Sequence, residues 1–153
     1  MDCHVRRAVA ADAPGISRVV IAALRHTNAQ DYDAQTIARI EASFSVTAIL
    51  GMLARRLVLV AVFENEVVAT ASLEQGVVRS VFVDPGHQQQ GIGKRLMLEI
   101  EACAIAQGLE GLWVPSSITA EGFYAGLGFC KVRDEYHGDE RTIVMHKARL
   151  GHR

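Results

Sequence analysis

Residues 80–96, SVFVDPGHQQQGIGKRL, place three structural signals within one short stretch. Apolar residues rich in valine end at Asp84-Pro85, a pair typical of a turn, so a strand is predicted before it. Three glutamines and Gly91-Ile92-Gly93 then lead into a run with the apolar spacing of a helix. A helix that begins behind glycines leaves its first backbone N–H groups unpaired at the positive end of the helix dipole, which suits the binding of a phosphate.

Two familiar phosphate-binding loops do not fit this stretch. The P-loop requires a Lys and a Ser or Thr after its second glycine, whereas Ile92 and Gly93 follow Gly91. The dinucleotide fingerprint requires a third glycine at the position of Leu96. The turn therefore binds phosphate in another way, or it needs its glycines only for backbone freedom.

The composition predicts one domain, residues 1–153, with half of its residues hydrophobic. Because 16 Lys and Arg nearly balance 17 Asp and Glu, no basic field for nucleic acid or an anionic membrane is expected. No apolar run approaches the roughly 20 residues that span a bilayer, and the N-terminal residues do not resemble a secretory signal. Three scattered cysteines and dispersed histidines predict a cytoplasmic protein without disulfides or metal.

The hydrophobic periodicity predicts a mixed α/β domain, with an antiparallel start and a β-α-β crossover in the second half. Asp12 is expected to cap the first helix, and the second helical stretch comes in one or two pieces. The predicted strands cover residues 3–9, 56–64, 67–74, 77–83, 111–115, 129–136 and 142–148. The predicted helices run from Asp12 to about Leu24, from about 33 to 54, from 92 to about 107, and from 119 to 127.

Two motifs that occur in order indicate a family. Residues 81–94, VFVDPGHQQQGIGK, resemble the Gln/Arg-x-x-Gly-x-Gly/Ala signature of the GNAT superfamily, the acyl-CoA-dependent N-acyltransferases. Residues 116–129, SSITAEGFYAGLGF, resemble the second signature of that family, a short helix bearing Phe-Tyr before Gly-Phe. The resemblance covers roughly residues 57–147. It implies a GNAT-like fold, with a central, mostly antiparallel mixed sheet of about six or seven strands that splays between strands four and five and is flanked by about four helices.

The resemblance also implies that the glycine-rich turn holds the pyrophosphate of acetyl-CoA, the acyl donor. Backbone N–H groups of residues 89–94 would face the diphosphate, and main-chain groups of strand four would pair with the pantetheine arm as an added strand does. Ser117 stands where many relatives carry an Asn that bonds the cofactor arm, so this contact is in doubt. Gln88 stands where many carry Arg, which removes one positive charge near the phosphates. The implied cofactor-binding residues are Val81, Phe82, Val83, Gln88, Gln89, Gln90, Gly91, Ile92, Gly93, Lys94, Ser117 and Tyr124.

Acetyl transfer to an amine needs a base, a donor for the oxyanion and a proton for the leaving thiolate. The resemblance implies that Tyr124 supplies this proton, although an aromatic that only packs a short helix is the alternative. The backbone N–H of Val83 is the expected oxyanion donor. Many relatives carry a glutamate where this chain has Val77, so Glu74, acting through water, is the nearest candidate base, and an amine of modest pKa needs none. Other carboxylates in the substrate-side segment are Asp31, Asp33 and Glu41.

These residues favour an N-acetyltransferase that transfers an acetyl group from acetyl-CoA to a primary amine by direct attack in a ternary complex. The acceptor, a small molecule or a protein amine, and the oligomeric state, a homodimer included, are left open. A non-catalytic acyl-CoA sensor and an interaction protein of the same fold are the alternatives. The parts that form the acceptor pocket in this family hold Tyr32, Asp31, Asp33, Glu41, Glu135 and Tyr136. An acidic, aromatic lining of this kind would suit a cationic amine, and the alternative is that these residues are solvated surface residues.

Overall fold

The computed structural model describes residues 3–151, which form seven strands and five α-helices. The strands are β1 (Cys3–Arg7), β2 (Leu57–Phe63), β3 (Glu66–Glu74), β4 (Val77–Val83), β5 (Leu112–Ser116), β6 (Cys130–His137) and β7 (Glu140–Lys147). The helices are α1 (Ala13–His26), α2 (Ala34–Ala42), α3 (Val46–Arg55), α4 (Ile92–Ala106) and α5 (Glu121–Gly126). The helical stretch predicted around 33–54 thus comes in two pieces, because Ser45 starts a new helix by accepting a hydrogen bond from the Ala48 N–H at 3.2 Å.

One sheet contains all seven strands in the order β1-β2-β3-β4-β5-β7-β6. Every neighbouring pair is antiparallel except β4 and β5, which are parallel and are connected through α4. The predicted fold class, a mostly antiparallel mixed sheet with flanking helices, is confirmed.

The sheet is buried on both faces. Val58, Val60 and Val62 of β2 pack in a cluster with α1, α2 and α3, whereas Leu59 and Ala61 pack in a second cluster with α4 and α5. Burial on both faces explains why this strand is an uninterrupted apolar run rather than an alternation of apolar and polar residues.

Two tight hairpins fix the register of β2, β3 and β4. Glu64 and Asn65 connect β2 to β3 with φ of 51° and 65°, and Gln75 and Gly76 connect β3 to β4 with φ of 51° and 78°. Left-handed backbone at both central residues matches the twist of the flanking strands. The turns expected at these positions are therefore present, and they place β4 beside β3 in the middle of the sheet.

Asp12 precedes α1 but does not cap it, so the expected capping interaction is wrong. Its carboxylate accepts hydrogen bonds from the Arg6 guanidinium at 2.8 and 2.9 Å and from the Val9 N–H at 2.7 Å. A two-point bond to a guanidinium is stronger than a bond to a helix amide, so the side chain turns back towards β1. The Arg6 hydrogen bond also lowers the pKa of the Asp12 carboxyl below its usual value.

Within residues 3–151, no single helix is long and apolar enough to cross a membrane. The pair α2 and α3, bent by 59° at the break between them, passes that test together by length and composition.

Candidate active site

A β-bulge interrupts β4 in its second half. Thr70 of β3 pairs with Phe82, and Ser72 pairs with Arg79, so β4 has one residue more than β3 between these two pairs. Ser80 lies in the bulge with φ of 55°, a left-handed conformation that is uncommon for residues other than glycine. A bulged strand bends and twists more strongly, so β4 bends between Arg79 and Phe82 while its end stays paired with β3.

Strands β4 and β5 meet only at their beginnings. Val77 is the one described β4 residue that pairs with β5, and it lies opposite Trp113. The backbone N–H of Trp113 donates to the Gly76 carbonyl at 3.0 Å. Beyond this pair the two parallel strands separate, which leaves one edge of β4 without a neighbouring strand. The splay implied by the sequence resemblance is therefore present.

The end of β4 directs Val83 towards this open edge. The Asp84 N–H donates to the Val68 carbonyl of β3 at 2.8 Å, and backbone groups alternate in direction along a strand, so the Val83 N–H points away from β3. Phe82 pairs with Thr70 of β3, so its main chain is already engaged and its side chain, rather than its backbone, reaches the opening. Val81 lies within the bulge, where the regular alternation is interrupted.

The glycine-rich turn leaves the start of α4 uncapped. Gly91 precedes the helix with φ of 80° and has no side chain that could accept a hydrogen bond from the first-turn amides. Gln89 is also left-handed, with φ of 64°, so the chain turns sharply twice before the helix. The first N–H groups, those of Ile92, Gly93 and Lys94, have no intrahelical acceptor. This start can accept an anion.

Gly93 is required for packing rather than for its backbone angle. A Cβ at this position would lie 3.3 Å from the Phe123 ring and 3.6 Å from Cγ2 of Val83. The missing side chain lets the first turn of α4 approach both α5 and the end of β4 closely. At Gly91, in contrast, a Cβ would meet no described atom within 4 Å.

The polar residues predicted around the turn divide into two groups. Gln88 uses its amide group internally, since Nε2 donates to Oγ1 of Thr27 at 3.0 Å and to the Val83 carbonyl at 3.1 Å. It therefore fastens the turn to the end of α1, and its side chain is not directed at the helix start. The exposed residues of the turn are Gln89, Gln90 and Lys94.

Tyr124 lies on α5 in the apolar layer beneath α4. It is 4% exposed, and its ring makes edge contacts with Phe123 and Phe129 at centroid distances of 5.2 and 5.6 Å. Burial raises the pKa of the Tyr124 phenol further above neutral pH, where a phenol is already protonated. Ser117, directly after β5, accepts a hydrogen bond through Oγ from the Ala120 N–H at 3.1 Å. It also lines a cleft beside the parting of β4 and β5.

A cleft of about 850 Å³ opens beside the parting of β4 and β5, between the helices α1 and α2 and the hairpin of β6 and β7. Tyr32 closes one side of it, because its hydroxyl donates to the Arg141 carbonyl at 3.2 Å and accepts from the Ile118 N–H at 2.7 Å. The residues that line the cleft include Asn28, Tyr32, Phe44, Arg56, Val77, Arg79, Ser80, Phe82, Trp113, Ser117, Arg133, Glu135, His137 and Glu140.

Glu74, the candidate base, is ion-paired and does not line the cleft. One of its carboxylate oxygens lies 3.1 Å from Nε of Arg56 and 3.8 Å from Nε of Arg79. Arg56 and Arg79 both line the cleft, whereas Glu74 does not. Arg79 is the single charged residue of the strand VVRSVFV and is therefore visible in the sequence, whereas no local pattern indicates the approach of Arg56 to Glu74.

The other residues expected in an acceptor pocket are only partly brought together. Tyr32 and Glu135 line the cleft, whereas Tyr136 points outwards and is 64% exposed. The remaining carboxylates have partners outside the cleft lining: Asp31 accepts from Thr119 Oγ1, Asp33 caps α2 at the Thr36 N–H, and Glu41 pairs with Arg25. In the described part of the chain, no three His, Cys, Asp or Glu side chains are grouped so as to hold a metal ion.

A model of the acetyltransferase (GNAT) domain family matches residues 15–149. The chain belongs to the GNAT acetyltransferase family. No curated protein sequence matches it. The family indicated by the two sequence motifs is thereby confirmed.

Solved structures share this GNAT fold at low sequence identity. A GCN5-related N-acetyltransferase from Rhodopseudomonas palustris, also described as a class-II aminotransferase, has a TM-score of 0.89 and 22% identity over 95% of this chain and 94% of its own. The PaiA N-acetyltransferase from Thermoplasma acidophilum, in complex with coenzyme A, has a TM-score of 0.81 and 19% identity over 97% and 99%. An aminoglycoside 6'-N-acetyltransferase complexed with coenzyme A has a TM-score of 0.67 and 16% identity over 94% and 96%. At these identities the likeness establishes the fold.

Proposed function

We propose that this GNAT domain transfers an acetyl group from acetyl-CoA to a primary amine, which attacks the thioester directly in a ternary complex. The observation that carries the proposal is that one strand connects the two halves of the site. Val83 of β4 packs beside Gly93 at the uncapped start of α4, and Ser80 and Phe82 of the same strand line the cleft. A donor that lies along the open edge of β4 would meet an acceptor in the cleft.

The residues at the helix start fit the pyrophosphate of coenzyme A. The first-turn amides of α4 lack intrahelical acceptors, and the helix dipole adds positive potential there. The open space around the Cβ position of Gly91 leaves room for phosphate oxygens, and the exposed Lys94 adds a charge. Residues 89–94 are therefore proposed to bind the diphosphate, with the Ser117 hydroxyl towards the pantetheine arm.

The proposed chemistry uses few groups of the protein. Acetyl-CoA supplies an acyl group that is activated as a thioester. The neutral amine nitrogen attacks the carbonyl carbon, and the carbon–sulfur bond then breaks with its electron pair going to sulfur. The nitrogen releases one proton to water as the amide forms. Tyr124, whose phenol is protonated at neutral pH, donates a proton to that sulfur and regains one from water, and the Val83 N–H stabilises the oxyanion.

The ammonium proton of the acceptor must leave before the attack. Glu74 pairs with Arg56 and Arg79 and does not line the cleft, so it is poorly placed to take a proton from an acceptor bound there. We therefore assign that proton to solvent water and assign Glu74 to the positioning of the two guanidiniums.

The proposal is tested by incubating the purified protein with acetyl-CoA and a panel of primary amines while free thiol release is followed. Release that depends on an added amine, together with mass-spectrometric detection of the acetylated amine, is expected. Tight binding of coenzyme A without turnover of any amine would instead favour a non-catalytic acyl-CoA sensor. That alternative is carried by the ion-paired state of Glu74 and by Val77 in place of a carboxylate.

A further inference from the structure

Two guanidiniums line one wall of the cleft. Arg56 lies between α3 and β2, and Arg79 lies on β4 just before the bulge. The bulge brings the neighbouring Ser80 to the same wall, where its Oγ accepts a hydrogen bond from Nη1 of Arg56 at 3.2 Å. Arg56 is thereby fixed by Ser80 on one side and by Glu74, at 3.1 Å, on the other.

The charges on this wall do not cancel. Glu74 is the only described carboxylate within 4.0 Å of either Arg56 or Arg79, so two positive charges share one negative charge. The other charged residues of the cleft are paired, since Arg133 contacts Glu135 at 2.8 Å and Glu140 contacts Arg39 at 3.2 Å. The surplus positive charge is therefore located at Arg56 and Arg79.

Both guanidiniums keep hydrogen-bond donors for a ligand. The Arg56 side chain is only 12% exposed, and in the described residues its Nη2 has no hydrogen-bond acceptor. Arg79 approaches its carboxylate no closer than 3.8 Å, which is too long for a hydrogen bond. A guanidinium presents its N–H groups in a planar fork that matches a carboxylate, and the match is stronger where water is excluded.

We infer that the acceptor of this enzyme is a small primary amine that carries a carboxylate, which binds to Arg56 and Arg79. The inference rests on the proposed acetyl transfer and identifies the class of its acceptor. The cleft volume of about 850 Å³ suits a small molecule, and Phe44, Phe82 and Trp113 provide an apolar surface for the body of an amino acid. An acceptor that is purely cationic, as an acidic pocket would have required, does not match this wall.

The test compares matched acceptors in the thiol-release assay. Alanine, leucine, methionine and phenylalanine are each compared with the corresponding amide and with the amine that lacks the carboxylate. O-phosphoethanolamine and ethanolamine form a further pair, which reveals a preference for phosphate. Because the amine of an amino acid amide loses its proton more easily than that of the acid, a preference for the acid cannot arise from amine basicity.

We expect the carboxylate-bearing member to be acetylated with the higher kcat/KM in at least one set. Equal or better use of the amides and simple amines would overturn the inference while leaving acetyl transfer intact, and so would a preference for O-phosphoethanolamine. If no amine is turned over although coenzyme A binds, the proposed transferase function fails. In that case, calorimetric titration of the protein–coenzyme A complex with these amino acids tests whether Arg56 and Arg79 bind a carboxylate. Absence of binding would overturn the inference.

Variants of the wall provide a second readout. Arg79→Gln should raise the KM for the preferred acid about 10- to 150-fold, because it removes one hydrogen bond to a charged group, worth about 1.5–3 kcal/mol. The KM for acetyl-CoA should stay the same. Arg79 is 42% exposed, so the variant is expected to fold. Arg55→Gln, next to Arg56 but outside the cleft lining, is the control for loss of charge. An unchanged KM for the acid in Arg79→Gln, or an equal rise in the control, would overturn the inference.

Discussion

Replacing Gly91 with valine tests whether the start of α4 binds phosphate. Gly91 has φ of 80°, and a Cβ there would meet no described atom within 4 Å, so the substitution disturbs the backbone and the space for the ligand rather than internal packing. Left-handed backbone costs a residue with a Cβ about 1–2 kcal/mol, so the turn relaxes and the first amides reorient. Loss of one charge-assisted hydrogen bond, about 1.5–3 kcal/mol, weakens coenzyme A binding about 10- to 150-fold.

Gly108 offers a matched control at the other end of the same helix. It follows α4 with φ of 81°, and its Cβ position is likewise free of described atoms within 4 Å. Gly91→Val and Gly108→Val should therefore lose similar stability in urea denaturation, about 1–2 kcal/mol. In isothermal titration calorimetry with coenzyme A, only Gly91→Val should lose affinity. Equal affinity in wild type and Gly91→Val, or an equal loss in both variants, would refute the assignment of the pyrophosphate to this turn.

Three further substitutions test other contacts. Tyr124→Phe should lower kcat about 10²- to 10⁴-fold at an unchanged KM for acetyl-CoA, because the hydroxyl acts in the transition state; unchanged kcat in steady-state kinetics would leave Tyr124 a packing residue only. Glu74→Gln should raise the acceptor KM more than it lowers kcat, because the carboxylate orients Arg56; disappearance of the acidic limb from the pH profile of kcat would instead identify a base. Asp12→Asn should lower the free energy of unfolding at pH 7 by about 1.5–3 kcal/mol, the value of a hydrogen bond to a charged group. Since pairing with Arg6 lowers the folded-state pKa of Asp12, this stability is present above the unfolded pKa of about 4 and is lost as the pH falls towards the folded value. A difference between wild type and variant that stays constant in urea titrations from pH 7 to pH 3 would contradict that account.

The sequence predicted those parts of the site that depend on neighbouring residues. Gly91-Ile92-Gly93 lies directly before an apolar helical pattern, so an uncapped helix start could be foreseen from local spacing alone. The hairpin turns at Asn65 and Gly76 were predictable for the same reason, because the residues that favour left-handed backbone stand in the turn itself. The parting of β4 from β5 came only from the family resemblance.

Contacts between residues far apart in the chain were not predictable. Arg56 and Glu74 meet because β2, β3 and β4 are neighbours, and nothing near either residue indicates the other. Glu74 therefore appeared to be a free carboxylate, although it is ion-paired. Asp12 stood at a position typical of a helix cap, but Arg6 from β1 competes for its carboxylate. The bulge at Ser80 was equally hidden, because serine rarely takes positive φ.

The extra residue at Ser80 shifts the alternation of side chains along β4 by one residue. Up to Arg79 the odd-numbered residues face the cleft, whereas beyond Ser80 the even-numbered Phe82 does, and Val81 and Val83 face α4. Deleting Ser80 would restore regular alternation without exchanging the two faces, because Val81 and Val83 would still face α4 and Phe82 would still face the cleft. What such a deletion removes is the bend of β4 and the hydroxyl that holds Arg56, so it should alter the cleft wall and leave the two apolar layers of the sheet in place.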